Sequence, residues 1–358
     1  MAGYKPLVEE PSDGALIGFL EPPVTVTLNS RGQHTLEWSQ PLSMDGTSVD
    51  PGSLNLYTYP GAFLGPSLDI IRRVLLHIST QAVHLFNVPD PVGAFAIHAL
   101  IVCNSDLSLE LADAILNAAP RLLLQLHVGQ PFSGEGILHI VCVNRREELA
   151  VRMVDLAVAQ FQTAEVKAFL STQVAGVFFD AEPMCWYGES PLAYACTFGL
   201  RRLVRRMLDT GLVSLNDNCG ELLGFYPLHA VTANGLCSMY DFLTRELPVE
   251  QRADKDALTQ SGQQISMEME GMSAVQLAAK RGMGYIFQHV MKSELTRILW
   301  VWGPVTQYQI SLAGIDSSGN GACDVMEILI REDSSRATQE FILDDFMKGA
   351  AARLVPKA

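Results

Sequence analysis

The sequence has no long hydrophobic run and little positive charge. A membrane-spanning helix needs ~20 consecutive apolar residues, whereas the best candidate segments, Ala94–Cys103 and Arg121–Val128, are short and interrupted by His98 or Gln125. The 25 lysine and arginine residues are outnumbered by 39 aspartate and glutamate residues, which gives a formal net charge of −14. We therefore expect no nucleic-acid partner, because such binding needs a basic surface.

The cysteines lack the pattern of an oxidised, secreted protein. Their number is odd and no C-x-x-C pair occurs, so a disulfide framework is not expected. They lie at positions 103, 142, 185, 196, 219, 237 and 323. The N-terminus also lacks the basic start and apolar core of a signal peptide. Together these features indicate a reducing, cytosolic compartment.

Catalytic signatures are missing as well. The sequence contains no G-x-S-x-G elbow, Walker A loop or kinase signature, and no histidine pair at the i, i+4 spacing of a zinc protease. We therefore expect a protein that is not an enzyme, with no catalytic residue and no bound cofactor. The apolar content is nevertheless high, with a mean hydropathy of +0.18. That value indicates surface that a partner covers.

What the sequence does contain is a repeated helical motif. Five segments are variants of G-x-T-P-L-H-x-A, the signature of the ankyrin repeat. They begin at Gly93, Gly134, Gly188, Gly224 and Gly271. The glycine suits a tight turn, and proline suits the first turn of the helix that follows. Three of the segments carry histidine at the motif position, where the side chain is expected to bond the backbone of neighbouring repeats: His98, His139 and His229.

The intervals between these glycines are 41, 54, 36 and 47 residues. Each exceeds the ~33 residues of an ankyrin unit, and extra residues in such arrays form loops on one face. The largest insertion, Gln160–Trp186, is expected to be a finger loop. A degenerate further repeat, with a helix at Leu68–Ile78, would bring the number to about six. The predicted fold is therefore mainly α, an ankyrin-repeat solenoid over residues 66–296.

The two ends differ from the repeats. Residues 1–65 are predicted to be a partly ordered extension, with alternating strands at Val24–Leu28 and His34–Trp38. Residues 297–358 are predicted to be a β-strand linker followed by a C-terminal helix. In that linker, strand character occurs at Ile298–Ile310 and again at Val325–Ile330, and the helix is expected at Thr338–Leu354.

At this point the chain resembles the cytosolic N-terminal region of vanilloid-type transient receptor potential (TRPV) channels, from about residue 66 to the end. The resemblance depends on irregular repeats with long fingers and on motifs in a fixed order. These motifs are Trp186-Tyr-Gly188-Glu189-Ser-Pro191-Leu192, Trp300-Val-Trp302-Gly303-Pro304-Val-Thr306, Ile315-Asp316 and Val325-Met-Glu327-Ile328. Ankyrin repeats alone are common, but the repeats followed by the Trp-Gly-Pro segment are much more specific.

The resemblance implies a part of a calcium-permeable cation channel, at the cytosolic face of the plasma or ciliary membrane. The strands after the repeats would pack against a neighbouring subunit in a homotetramer, and the chain would continue into the channel beyond Ala358. For the linker and its packing, the residues of interest are Trp300, Trp302, Gly303, Pro304 and Asp316. Calmodulin or another cytosolic protein is an alternative partner. A free-standing cytosolic ankyrin scaffold is the alternative function.

Some TRPV channels bind ATP through lysines of the early repeats. The matching positions here carry Ala94, approximately His98, and Ser133, and Val143 replaces an acidic residue of the same pocket. Because the charges that would hold the phosphates are missing, we expect weak or no ATP binding.

Two further motifs have competing interpretations. Asp316, Ser318, Asn320 and Glu327 follow the spacing of an EF-hand calcium loop. An EF-hand needs a helix on each side, whereas both flanks here are predicted strands, so a turn is favoured over a calcium site. The basic segment Leu200–Met207 could be a calmodulin target, but the second helix of a repeat is the favoured interpretation.

Overall fold

The computed structural model describes residues 83–180, 186–262, 269–312, 314–316 and 324–330, with the backbone of residues 24–28 and 34–38. The chain divides into two compact units, Met1–Ala181 and Glu182–Ala358. Thirteen α-helices and four strands lie in the described part, so the protein is mainly helical, as predicted. None of these helices is long and apolar enough to cross a lipid bilayer.

Among its described residues, the first unit has one strand pair and six α-helices. Strands β1 (Val24–Leu28) and β2 (His34–Trp38) pair antiparallel, as their alternation predicts. The helices are α1 (Ala96–Cys103), α2 (Asp106–Ala118), α3 (Ile137–Val143), α4 (Glu147–Gln160), α5 (Thr163–Leu170) and α6 (Val177–Asp180). Helix α1 packs against α2 and α3, and α3 packs against α4. The inserted segment predicted as a finger loop thus contains the helices α5 and α6.

The described residues of the second unit form seven α-helices and one hairpin. The helices are α7 (Pro191–Thr197), α8 (Arg201–Leu208), α9 (Pro227–Ala233), α10 (Cys237–Asp241), α11 (Ala274–Lys280), α12 (Gly284–Val290) and α13 (Val325–Ile330). The hairpin consists of β3 (Thr296–Trp302) and β4 (Val305–Ile310). Helices α7, α9, α11 and α13 pack successively, each against the next.

Each motif glycine precedes the first helix of a pair in a conformation that other residues avoid. Gly224 has φ of +63°, and an added Cβ would lie 2.1 Å from the carbonyl oxygen of Gln260. Only glycine fits this position without moving the backbone. The helix that follows begins with Pro227 in its first turn, where no backbone N–H is needed.

The core lies between the stacked helices. Aliphatic residues at the same motif position, Ile97, Leu138, Leu192 and Leu228, each have at most 3% of their surface exposed. Alanines one turn later in α7 and α11, Ala195 and Ala278, are fully buried. The small side chains let adjacent helices approach closely, which explains the alternation of leucine and alanine in the motif.

The prediction of a strand at Val325–Ile330 is wrong, because this segment is helix α13. Its buried residues, Val325 and Ile328, are three apart, which is the spacing of a helix face. The backbone N–H groups of Val325 and Met326 donate to the carbonyls of Gly314 and Ile315. A largely apolar segment of only six residues fits the periodicity of a strand or of a helix, and packing against α11 selects the helix.

Several predictions lie outside the described residues. These are the helices at Leu68–Ile78 and Thr338–Leu354 and the structure of most of residues 1–65. The division at 66–296 and 297–358 remains a prediction.

Candidate interaction surface

The β3–β4 hairpin forms around a turn that its sequence favours. Trp302 pairs with Val305, so only Gly303 and Pro304 connect the strands. Gly303 has φ of +57°, and the proline ring requires a negative φ next to it. A positive followed by a negative φ is the pattern of a type II′ turn, which matches the twist of a hairpin. The Gly-Pro break seen in the sequence is this turn.

A bulge separates the side chains of the hairpin into two faces. The pairing changes register between Ile298 and Trp300, so Leu299 is the extra residue. Because paired residues share a face, one face carries Arg297, Trp300, Trp302, Val305, Gln307 and Gln309, which we call the tryptophan face. The other face carries Thr296, Ile298, Val301, Thr306, Tyr308 and Ile310.

Large apolar side chains of the hairpin are exposed on both faces. On the tryptophan face, Trp302 is 77% exposed and Trp300 is 47% exposed. On the other face, Val301 is 61% exposed and Tyr308 is 48% exposed. An isolated two-stranded ribbon is marginally stable in water, and a contiguous apolar surface of this kind marks an interaction site.

The three motif histidines lie in the interior, each at most 1% exposed. In each ring Nδ1 accepts a backbone N–H at the start of the same helix. The donors are Phe95 at 3.2 Å for His98, Gly136 at 3.1 Å for His139 and Tyr226 at 3.2 Å for His229. The Nε2 of His98 also lies 3.2 Å from the carbonyl oxygen of Gln125, to which it can donate. Each ring therefore caps the start of its own helix, and the ring of His98 also links that start to the backbone at Gln125.

Burial lowers the pKa of His98 and His229 and so favours their neutral imidazoles. The pKa of His98 falls from 6.5 to about 3, mainly through burial and secondly through the ring of His127, which stacks on it at 4.6 Å. The carbonyl of Gln125 opposes this shift. The pKa of His229 falls to about 4 because of burial, opposed by the carbonyls of Ala257 and Met272. Within the described residues, no group of three or more histidine, cysteine or acidic side chains is placed to hold a metal ion.

The EF-hand-like residues are only partly described. Asp316 and Glu327 are exposed, the latter on α13, whereas Ser318 and Asn320 lie outside the described residues. The expectation that a strand follows this loop is wrong, because α13 begins at Val325. A calcium site here remains an untested alternative.

The basic segment predicted as either a repeat helix or a calmodulin target is α8. Its apolar residues, Leu203, Val204, Met207 and Leu208, are buried. The guanidinium groups of Arg201 and Arg205 both lie 4.9 Å from the centre of the Phe242 ring. A calmodulin target presents its apolar face to its partner, and in this structure that face is covered.

Gln276 and Glu189 are among the buried polar residues of the repeats that sequence reasoning missed. Gln276 occupies the motif position of histidine in α11, and its pattern position alone could have identified it. Glu189 follows Gly188, and its carboxylate accepts the N–H groups of Leu222 and Leu223 at 3.1 and 2.9 Å. Burial raises the pKa of Glu189 to about 7. The two hydrogen bonds lower the pKa and so oppose this shift, whereas the negative charge of Glu221 adds to it.

Sequence comparison confirms the resemblance to TRPV channels. Member 5 of transient receptor potential cation channel subfamily V from Mus musculus is 25% identical over 257 residues, 71% of this chain and 32% of that protein. Member 6 from Rattus norvegicus is 26% identical over 256 residues, 71% of this chain and 30% of that protein. Member 4 from Homo sapiens is 28% identical over 221 residues, 56% of this chain and 23% of that protein.

The chain therefore matches about a quarter to a third of the length of these curated relatives. No family model matches it. The similarity indicates a TRPV-like channel region.

Proposed function

We propose that this chain is the cytosolic N-terminal region of a TRPV-like, calcium-permeable cation channel. Residues 66–296 would be an ankyrin-repeat solenoid of about six repeats, at the cytosolic face of the plasma or ciliary membrane. The helix pairs support this proposal, since each of the five motifs begins at a left-handed glycine and leads into a buried helix. The similarity to subfamily V members 4, 5 and 6 supports the channel assignment.

The hairpin would bind a neighbouring copy of the chain in a homotetramer. The observation that carries this proposal is the exposure of its side chains, above all Trp302 at 77%. Tryptophan contributes disproportionately to binding when an interface buries it. Rigidly stacked helices would then transmit contacts at the hairpin to the gate of the channel. Nucleotide is not expected to take part, because the pocket lysines of the family are missing.

Sedimentation velocity over a wide concentration range tests the hairpin contact. The unaltered chain is expected to self-associate, and the double variant Trp300→Ser/Trp302→Ser is expected to remain monomeric. Tyr285→Ser is the matched control, because Tyr285 is 80% exposed but lies on α12. Equal association of the double variant and the control would exclude the hairpin as the contact.

The coding sequence downstream of residue 358 tests the channel assignment separately. Six hydrophobic spans with a pore loop are expected. A stop codon at that point would instead favour the free-standing ankyrin scaffold. Isothermal titration with ATP tests the nucleotide prediction, which micromolar affinity would contradict.

A further inference from the structure

The base of the hairpin is built from two helix ends of the same unusual kind. Helix α10 continues as a π-helical turn at Phe242–Glu246, and α12 continues as another at Met291–Leu295. The second turn leads directly into β3, which begins at Thr296. Such turns often occur at functional sites, since they move side chains out of the regular helical register. Here they place two charged residues, Arg245 and Glu294, opposite each other.

Glu294 accepts hydrogen bonds from two cations on different segments. The Nε and Nη2 atoms of Arg245 donate to its Oε1 at 3.1 and 2.8 Å, and Nη2 also donates to the carbonyl of Ser293 at 2.7 Å. The ammonium group of Lys255 donates to the other carboxylate oxygen. The side chain of Glu294 is only 15% exposed, so these contacts are screened less than those of a fully exposed ion pair.

A second carboxylate completes the cluster. Asp241 lies 3.4 Å from Nη1 of Arg245, one helical turn away, and 2.9 Å from Nε2 of His289. Two carboxylates thus face two basic side chains and one imidazole. We call Asp241, Arg245, Lys255, His289 and Glu294 the ionic cluster. It joins the end of α10, the loop after it and the end of α12 immediately before the hairpin.

The position of the cluster matters because the hairpin has little burial of its own. Six of the seven residues of β3 are exposed, and in β4 only Thr306 and Ile310 are partly covered. The direction in which such a ribbon leaves its unit is determined mainly at its base. The backbone bond from the N–H of Ser311 to the carbonyl of Leu295 closes that base, and Glu294 is the residue before Leu295.

We propose that the ionic cluster is a latch that holds the hairpin in its binding orientation. Loss of the Glu294 charge would free the hairpin and weaken assembly, although Glu294 lies outside the tryptophan face. The effect on assembly rests on the proposed function, because the orientation of the hairpin can influence assembly only if the hairpin is the contact between chains. The first part, the restraint on the hairpin, concerns the single chain.

Hydrogen exchange of the full chain tests the restraint. The amides of residues 296–310 are measured in the Trp300→Ser/Trp302→Ser background, so that assembly cannot protect them. Addition of Glu294→Gln is expected to accelerate their exchange by about tenfold or more, as for a locally released segment. Lys255→Met, which leaves the Arg245 contact, is expected to give a smaller increase. The matched control is Glu246→Gln, which removes the 3.0 Å ion pair with Arg201 but leaves all five residues of the ionic cluster in place.

Sedimentation velocity of the single variants, with the tryptophans intact, tests the effect on assembly. Glu294→Gln is expected to raise the dissociation constant by at least about tenfold, because the hairpin is no longer held in its binding orientation before association. Glu246→Gln is expected to leave the dissociation constant unchanged. Unchanged exchange in Glu294→Gln, with native circular dichroism, would overturn the latch. Faster exchange without weaker assembly would overturn its regulatory part. If the unaltered chain does not assemble while exchange is accelerated, the proposed function fails and the restraint stands.

Discussion

Gln276 makes the same two kinds of hydrogen bond as His98, although it is a different residue. Its Oε1 accepts the N–H of Ser273 at 2.8 Å, and its Nε2 donates to the carbonyl of Gly314 at 3.3 Å. The ring of His98 accepts the N–H of Phe95 and approaches the carbonyl of Gln125 with Nε2. An amide can therefore replace the motif imidazole, with one difference: the amide does not titrate.

This equivalence leads to a prediction for His98→Gln. The pKa of His98 is about 3 in the folded chain, below its usual 6.5. Its contribution to folding is therefore complete above pH 6.5 and is lost as the pH falls towards 3. The loss is on the order of 5 kcal/mol for such a shift. Urea unfolding between pH 7 and pH 4 should show a smaller loss of stability in His98→Gln than in the unaltered chain.

The comparison variant at this position is His98→Ala. It also lacks the titrating ring, but it leaves the N–H of Phe95 without its acceptor. It should be less stable than His98→Gln at pH 7 by about 1–3 kcal/mol, the cost of an unsatisfied buried group. Equal stability of the two variants would show that the hydrogen bonds contribute little.

For Glu189, we expect the stability of the fold to depend on pH in the opposite direction. Burial raises its pKa from 4.5 to about 7, so the folded chain holds the proton more tightly than the unfolded chain. This contribution is complete below pH 4.5 and is lost as the pH rises to 7, by about 3 kcal/mol. Glu189→Gln should therefore remove part of the destabilisation seen between pH 5 and pH 8.

Differences between variant and unaltered chain isolate this effect. Burial also raises the pKa of Glu135, to about 8, but Glu135 is present in both proteins and its contribution cancels. Glu246→Gln serves as the exposed control. A parallel pH profile for the unaltered chain and Glu189→Gln would contradict the assignment.

Two glycines at the same motif position allow the cost of a left-handed backbone conformation to be measured apart from the cost of a steric clash with an added Cβ. Gly224 and Gly271 have φ of +63° and +72°, but an added Cβ meets the carbonyl oxygen of Gln260 at 2.1 Å only at Gly224. Gly271→Ala should cost about 1–2 kcal/mol, the cost of the left-handed conformation. Gly224→Ala should cost clearly more, because backbone atoms must move. Thermal unfolding of both variants measures the difference, and equal costs would contradict the collision.

The cysteines should differ in reactivity. Cys103 is exposed, whereas Cys142, Cys196 and Cys219 are buried. Burial raises the pKa of the Cys142 and Cys219 thiols well above the usual value, which further lowers the thiolate fraction. Thiol labelling followed by peptide mass spectrometry should modify Cys103 before unfolding and the three buried residues only after it. Early labelling of Cys142 would indicate local opening of α3.

The sequence by itself determined where the helix pairs begin. Gly224 and Pro227 act within a few residues, through the left-handed φ and the fixed proline φ, so their effect is visible without a structure. The same local chemistry identifies the Gly303-Pro304 turn and the strands β1 and β2. The motif position likewise identifies the histidines of the candidate site before their contacts are known.

Only the tertiary structure decided the features that depend on distant residues. Val325–Ile330 is too short for its period to select helix or strand, and its contact with α11 makes it a helix. Trp302 is exposed because the rest of the described structure does not cover the hairpin, and no local sequence pattern could predict this. Arg245 and Glu294 are 49 residues apart, and they meet because successive helix pairs place their second helices side by side. Propensities act within a few residues along the chain, whereas burial and charge pairing depend on which segments the fold brings together.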